Sequence, residues 1–557
     1  MVYISVNTIV ERRSRISFQK QVIMKQVIIF LLCLPFSGNI FSQGVTLLYR
    51  GPLGWDDQNS WIQMNPPAGQ QPISRVPTEF DDVVFSKSLS GYSIFNFDHS
   101  VIIGGGAGSL CRSMHVSNME LSFEEINTVN RAGDISVYTD NGGFVLIDSG
   151  ANIRHGLFIL HGGNPSITDL QIIDSRYGEL VSHDVWSGIE LLGNAKGRFI
   201  NSILSGWNFR NSSPEARFYA DSCFFKPYSF RMEDNTTSTI LNTTINPDDP
   251  FKSLTFFIGR NANFTSANVT VSAQNDLSFV TSGSVFNGNV SHESPGFLFL
   301  KQEDEANPLP NIINGNLSIG EIYKISIKGD LKISGNLTIN TPVWALYPDT
   351  STVFVNGQPA FVTGGKAYLN NNHCRLEFFG NTNSNVVFPL GFPVDTLVIN
   401  KTGCAKVTFK NSLYVAGAAH ILQGQLALDP NDNIPYKFVC LGDLEIMQGG
   451  SIFLRKNALG VAADMAIQGN LYDYNPIADS SCTGINNPYL GNITLYRNNE
   501  NDGNTIIGVP SIANLHLMGR PGSGFTLGND LIVYDSISID GGHLNLNNHN
   551  LTVKRKL

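Results

Sequence analysis

Six Asp and Asn residues recur in one short pattern: two or three apolar positions, then the Asx, then usually Ser or Thr. They are Asp148, Asp174, Asn201, Asp221, Asn242 and, in a looser copy, Asn268, at successive spacings of 26, 27, 20, 21 and 26 residues. Two carboxylates on neighbouring turns of a repeating chain would lie about 4.8 Å apart, and they repel unless a proton or a cation sits between them. Asp148 and Asp174 are therefore candidates for acid–base chemistry or for holding a metal, with calcium the one cofactor left open. Arg176, His183 and Asp184 follow closely and complete a set of catalytic candidates that would suit a glycan-active enzyme. Trp186 and Trp207 follow the interrupted turn near residues 176–188, the longest polar excursion in this half, and an indole in a loop can stack on a sugar ring.

A structural reading covers the same residues. An Asx side chain can hydrogen-bond its own backbone and tolerates the left-handed conformation, so it marks a corner. Stacked corners would form an Asn/Asp/Ser/Thr ladder, and either Trp could fill a corner of the core.

The elements that must position these residues follow from the period. A repeat of 20–27 residues is the length of one turn of a solenoid. Composition agrees. Asn is the most telling residue, with 57 copies, more than all 37 Lys and Arg together, and Gly contributes 53. Turn formers and β-branched or aromatic residues dominate, and the strong helix formers are scarce. The expected fold is all-β, a right-handed parallel β-helix or β-solenoid, with two stacked blocks as an open arrangement. The balance of 37 basic against 46 acidic side chains, a formal charge of −9, excludes a nucleic-acid binder driven by a basic surface.

Met24-Lys25 leads into an apolar run from Val27 to Phe36, followed by small and turn-forming residues up to Gln43. That layout predicts a secretory signal peptide within residues 24–42, because ten apolar residues are too few to span a bilayer, which needs roughly 20. No later run reaches spanning length, so no transmembrane helix is expected. The expected location is secreted or at the cell surface. Beyond Cys33, the six cysteines at 111, 223, 374, 404, 440 and 482 have no zinc spacing, and most are expected in the core.

The second half carries another signature. Gly315-Asn-Leu-Ser-Ile319, Gly329-Asp-Leu-Lys-Ile333, Gly335-Asn-Leu-Thr-Ile339, Gly442-Asp-Leu-Glu-Ile446 and Gly469-Asn-Leu-Tyr472 each read as a turn pair entering a short half-buried strand. The charged, Pro-containing stretch Lys301–Pro310 predicts a boundary or loop before them. A duplication at an offset of 118 aligns Asp395–Ile399 with Ala513–Leu517, Val407–Val415 with Phe525–Val533, and Gly424–Leu428 with Gly542–Leu546. It suggests an extended repetitive surface. The expected divisions are 1–42, N-terminal extension and signal; 43–140, an N-terminal β-helix module; 141–300, a β-helix of 20–27-residue turns; and 311–557, a repetitive solenoid. No P-loop, H-E-x-x-H or G-x-S-x-G is present.

The Gly-Asn/Asp-Leu-x-Ile elements, the unit from Leu376 to Ile399 and the stretch Gly541–Val553 resemble the exported, adhesin-like repetitive β-helix proteins of Gram-negative bacteria associated with type IX secretion. Trp55-Asp-Asp-Gln-Asn-Ser-Trp61, Val76-Pro77 and Asp81-Asp-Val-Val-Phe85 resemble the opening of the eight-glycine-type β-helix module. The resemblance implies export and surface display without a defined reaction, and the leading expectation is a non-enzymatic adhesin-like or structural protein whose exposed faces bind glycans or other extracellular polymers or extend a partner from the cell. The alternative is a polysaccharide lyase or another glycan-active β-helix enzyme. Such proteins usually finish with a β-sandwich sorting domain, whereas this sequence stops at Val553-Lys-Arg-Lys-Leu557; either the sequence is truncated or the protein is released without that signal, and the mode of attachment stays open.

Overall fold

The computed structural model describes residues 44–554 apart from short segments, the longest being 104–110, 124–133, 163–169, 178–187, 301–308, 429–435, 455–462, 475–483 and 498–504. The predicted signal at 24–42 lies outside the described residues. Contacts divide the chain at residue 45, and residues 46–557 form one unit. Among the described residues only Gln58–Ser60 and Lys87–Ser90 are helical.

The unit is a β-solenoid of parallel strands, with up to three strands in each turn. On the first face, Asp82–Ser86, Ser113–Ser117, Phe144–Asp148, Leu170–Ile173, Lys196–Ile200, Arg217–Asp221, Thr237–Leu241 and Asn263–Ala267 pair in sequence order. A path of twelve strands continues the series from Val285–Phe286 to His543–Asn545. The second and third faces join in a 22-stranded sheet that ends at Lys366–Leu369. The stretch 301–310 does not interrupt the pairing: Val290 stands beside Leu317 and Phe297 beside Lys324 across it.

Strict alternation explains the core. In Arg217–Asp221, Phe218 and Ala220 point inward and are buried, and the residues between them face out. Because successive turns stack at strand spacing, like residues fall on like residues. Phe256 stacks on Phe230 at 5.8 Å and on Phe279 at 5.0 Å, with rings within 8° of parallel. Each buried Phe contributes roughly 2–3 kcal/mol by removing apolar area from water, so the aromatic column is a main source of stability. The N-terminal turn closes on a further aromatic group. Trp61–Gln63 pairs antiparallel with Thr46–Tyr49, and Trp55 and Trp61 pack edge-on at 4.9 Å, both buried.

The Gly-Asn/Asp-Leu elements have a physical cause. A Cβ on Gly315 would stand 1.9 Å from the Gly288 carbonyl oxygen, and one on Gly335 would stand 2.4 Å from that of Gly315. Only glycine lets these turns stack. The Asn beside each Gly then supplies the ladder: the Asn336 amide donates to Asn316 Oδ1 at 2.8 Å, and the Asn316 amide donates to Asn289 Oδ1 at 3.0 Å.

The two copies at offset 118 keep their inward residues but not their faces. Thr396–Lys401 lies in the sheet that continues the first face, whereas its counterpart Ser511–Met518 lies in the separate eight-stranded sheet of the third. Leu397 and Ile399, like Leu515 and Leu517, are buried. An offset of 118 is not a whole number of turns here, so the copies share a core pattern rather than one repeated surface.

Candidate functional site

The repeated Asx residues sit at the corner between the first and second faces. Asp174, Asn201, Asn242 and Asn268 all have positive φ, between 48° and 53° except for 46° at Asn201. Asn201 Nδ2 donates to Asp174 Oδ1 at 2.7 Å, and Asn268 Nδ2 donates to Asn242 Oδ1 at 3.0 Å. The residues just after them turn inward. Ser175 and Ser202 are buried, and the Ser202 hydroxyl donates to the Ile200 carbonyl at 2.7 Å. Cys223 occupies the same inner row, its thiol 3.3 Å from the Asp221 carbonyl.

Asp148 and Asp174 lie on neighbouring turns but are not directly opposite. Ile147 pairs with Ile172, so Asp148 falls beside Ile173, one step before the corner. Ser149 and Gly150, both at positive φ, together fill the place that Asp174 alone fills one turn later. Asp221 is displaced in the same way, with Ser222 in the left-handed position. The expected face-to-face stack of carboxylates is thus broken by a one-residue longer corner.

Asp148 instead meets His115 of the preceding turn, Oδ1 standing 3.1 Å from Nε2. Burial raises the Asp148 carboxyl, but the hydrogen bond and charge of His115, with the hydroxyls of Ser149 and Ser117, outweigh it and leave the group below its usual value. Arg176 is exposed on the second face beside Asn152. His183, Asp184 and Trp186 lie outside the described residues. Among the described residues no group of three or more His, Cys, Asp or Glu side chains is placed to hold a metal, and no helix is long and apolar enough to cross a membrane.

Trp207 is on the surface. It lies in Ile203–Asn211, a strand that bends from the second face to the third, and it is 37% exposed. Its indole packs on Tyr228 at 4.4 Å and 31°, and the Lys252 ammonium stands 4.7 Å from the Tyr228 ring. Tyr228 comes 21 residues after Trp207, one turn of the solenoid, so the period alone could have found it. Next to this strip on the third face runs a charged ladder. Arg210 Nε and Arg231 Nε both donate to Glu233 Oε1, at 2.9 and 3.0 Å, and Arg210 Nη1 lies 3.6 Å from Glu190 Oε1.

The arrangement offers a sugar ring the exposed part of the Trp207 indole, with hydrogen-bonding ions beside it. The corner ladder offers no such surface, since its amides and carboxylates bond to one another. Comparison with family models, with curated proteins and with solved structures finds no match to this chain.

Proposed function

We propose that the chain is an exported, non-enzymatic β-solenoid of adhesin-like type that presents an extended surface and binds glycans on it. The carrying observation is the exposed Trp207–Tyr228 stack with Lys252 against it. A buried aromatic would serve packing alone, whereas Trp207 keeps part of its indole in water; Tyr138, Phe251, Phe297, Tyr414 and Tyr474 are exposed as well, and what sets Trp207 apart is the Tyr228 ring and the Lys252 ammonium packed beside it. The partners of Asp148 and Asp174 support the non-enzymatic reading, because each carboxylate is held by a neighbour on a different turn. The signal-like segment at 24–42 supports export, to the medium or the cell surface, and type IX secretion is the route that the resemblance suggests.

The test is affinity electrophoresis of the purified chain through gels containing neutral or acidic polysaccharides, with and without calcium, while polysaccharide chain length is followed in parallel. Retention without cleavage, weakened about tenfold by Trp207→Ala, is the expected result; a tenfold change equals the ~1.4 kcal/mol that one stacked ring supplies. Cleavage of any polysaccharide, or retention indifferent to Trp207→Ala, would overturn it.

A further inference from the structure

A groove of about 450 Å³ lies on the outer face of the eight-stranded sheet, in turns far along the chain from Trp207. Its floor and walls come from Lys437–Cys440, Asp464–Ile467, Asn492–Tyr496, Ser511–Met518 and Leu531–Asp540. The register sets Lys437 beside Asp464 at one rim, and Tyr496, Met518 and Asp540 in a row at the other. Between the rims the outward residues are the small Ala466 and Thr494, paired with each other. The depression thus follows from side-chain size along the pairing: small residues mid-strand, long ones at both ends. Its volume lies within the range of small-ligand sites.

Three cations, Lys437, Arg497 and Arg520, and two carboxylates, Asp464 and Asp540, line the groove. Asp540 Oδ2 is 2.7 Å from His516 Nε2, and Asp464 Oδ1 accepts from Asn492 Nδ2 at 2.8 Å. Lys437 and Arg520 are exposed and have no carboxylate partner among the described residues. Exposed cations beside a half-buried Tyr496 can accept an anion, and the two occupied carboxylates keep lone pairs for hydroxyl donors. A plain inorganic anion would use the cations and be repelled by the carboxylates. A polyhydroxylated anion uses both.

We propose that this groove binds a segment of an acidic polysaccharide, the carboxylate of one sugar unit held by Lys437 at one rim and that of another by Arg520 at the other, with hydroxyls along the segment donated to Asp464 and Asp540. The assignment rests on the glycan-binding reading and adds a second, charge-selective site to it. The sheet that builds the groove is set by its buried row of Ile493, Leu495, Leu515 and Leu517, so Lys437 and Arg520 can be changed without touching the core.

The experiment uses the full chain and two probes, polygalacturonate and neutral dextran, with sodium sulfate as a competitor. Arg520→Gln and Lys437→Gln are each expected to weaken polygalacturonate binding about tenfold and leave dextran retention unchanged, and their urea midpoints should match that of the parent. Trp207→Ala should do the reverse, lowering dextran retention most. Polygalacturonate binding unaffected by both groove variants overturns the groove assignment even if Trp207→Ala still abolishes dextran binding. Loss of polygalacturonate binding in the groove variants, with Trp207→Ala silent on both probes, upholds the groove and removes the aromatic strip. Competition by sulfate as strong as by galacturonate would also overturn it, because a simple anion site would then suffice.

Discussion

Asn201 Nδ2 donates to Asp174 Oδ1 across 2.7 Å, and both residues are in the left-handed conformation at φ 46° and 50°. The same atoms that looked like chemistry in the repeat therefore hold one corner to the next. Asn201→Leu removes the amide and puts a branched side chain where the left-handed backbone disfavours it, each by about 1 kcal/mol. A loss of about 2 kcal/mol in urea unfolding is expected, against about 1 kcal/mol for Asn201→Gly, which loses the amide but keeps the backbone unstrained. Equal losses in the two variants would show that conformation has no part in the corner.

Gly315 makes a stronger demand, since its Cβ would meet the Gly288 carbonyl oxygen at 1.9 Å. Backbone on both turns would have to move, and Gly315→Ala should cost more than about 2 kcal/mol. Gly69 is the control: a Cβ there meets nothing within 4 Å, so Gly69→Ala costs only the strain of its positive φ of 85°. A smaller loss at Gly315 than at Gly69 would contradict the stacked-turn geometry.

Phe256 lies between Phe230 and Phe279 in the aromatic column. Phe256→Ala opens a cavity in a row that cannot collapse along the solenoid axis, because strand pairing fixes the spacing. The expected loss is about 3–5 kcal/mol by urea denaturation. A change under 1 kcal/mol would mean that the column is not packed as described.

His292 is fully buried between Ala273 and Ile319 on adjacent turns, and burial lowers its pKa, with the Asn275 carbonyl and the Asp276 charge opposing that only in part. The folded chain therefore binds this proton less readily than the unfolded one. Stability is fully present above the unfolded value of about 6.5 and falls as pH drops from there through the lowered native value. The urea midpoint should fall between pH 7 and pH 5, and His292→Leu should make that dependence shallower. An unchanged slope would remove His292 as its source.

Cys111, Cys223 and Cys440 are buried and unpaired, and burial pushes their thiols up, Cys223 to about 11 and Cys440 to about 12. A thiol reagent attacks the thiolate. At pH 8 the native chain should leave these three unmodified while the urea-unfolded chain reacts at all of them, as read by peptide mass spectrometry. Rapid native labelling of Cys223 would show that the inner row of the corner opens.

The sequence by itself determined the class of the fold and the identity of its repeating parts. A period near 23 residues, with apolar pairs ahead of each Asx, dictates inward strands and polar corners, because alternation and left-handed tolerance are local properties. The Gly-Asn-Leu elements are legible for the same reason. Register is not local. Whether Asp148 faces Asp174 depends on one extra residue at the Ser149-Gly150 corner, and the copies at offset 118 change faces because 118 residues do not complete a whole number of turns in this chain. The site was legible only as Trp207, an indole in a polar stretch. Its pairing with Tyr228 and Lys252, and the gathering of Lys437, Arg520, Asp464 and Asp540 around one groove, arise where separate turns are brought side by side, and only the tertiary structure decides which turns those are.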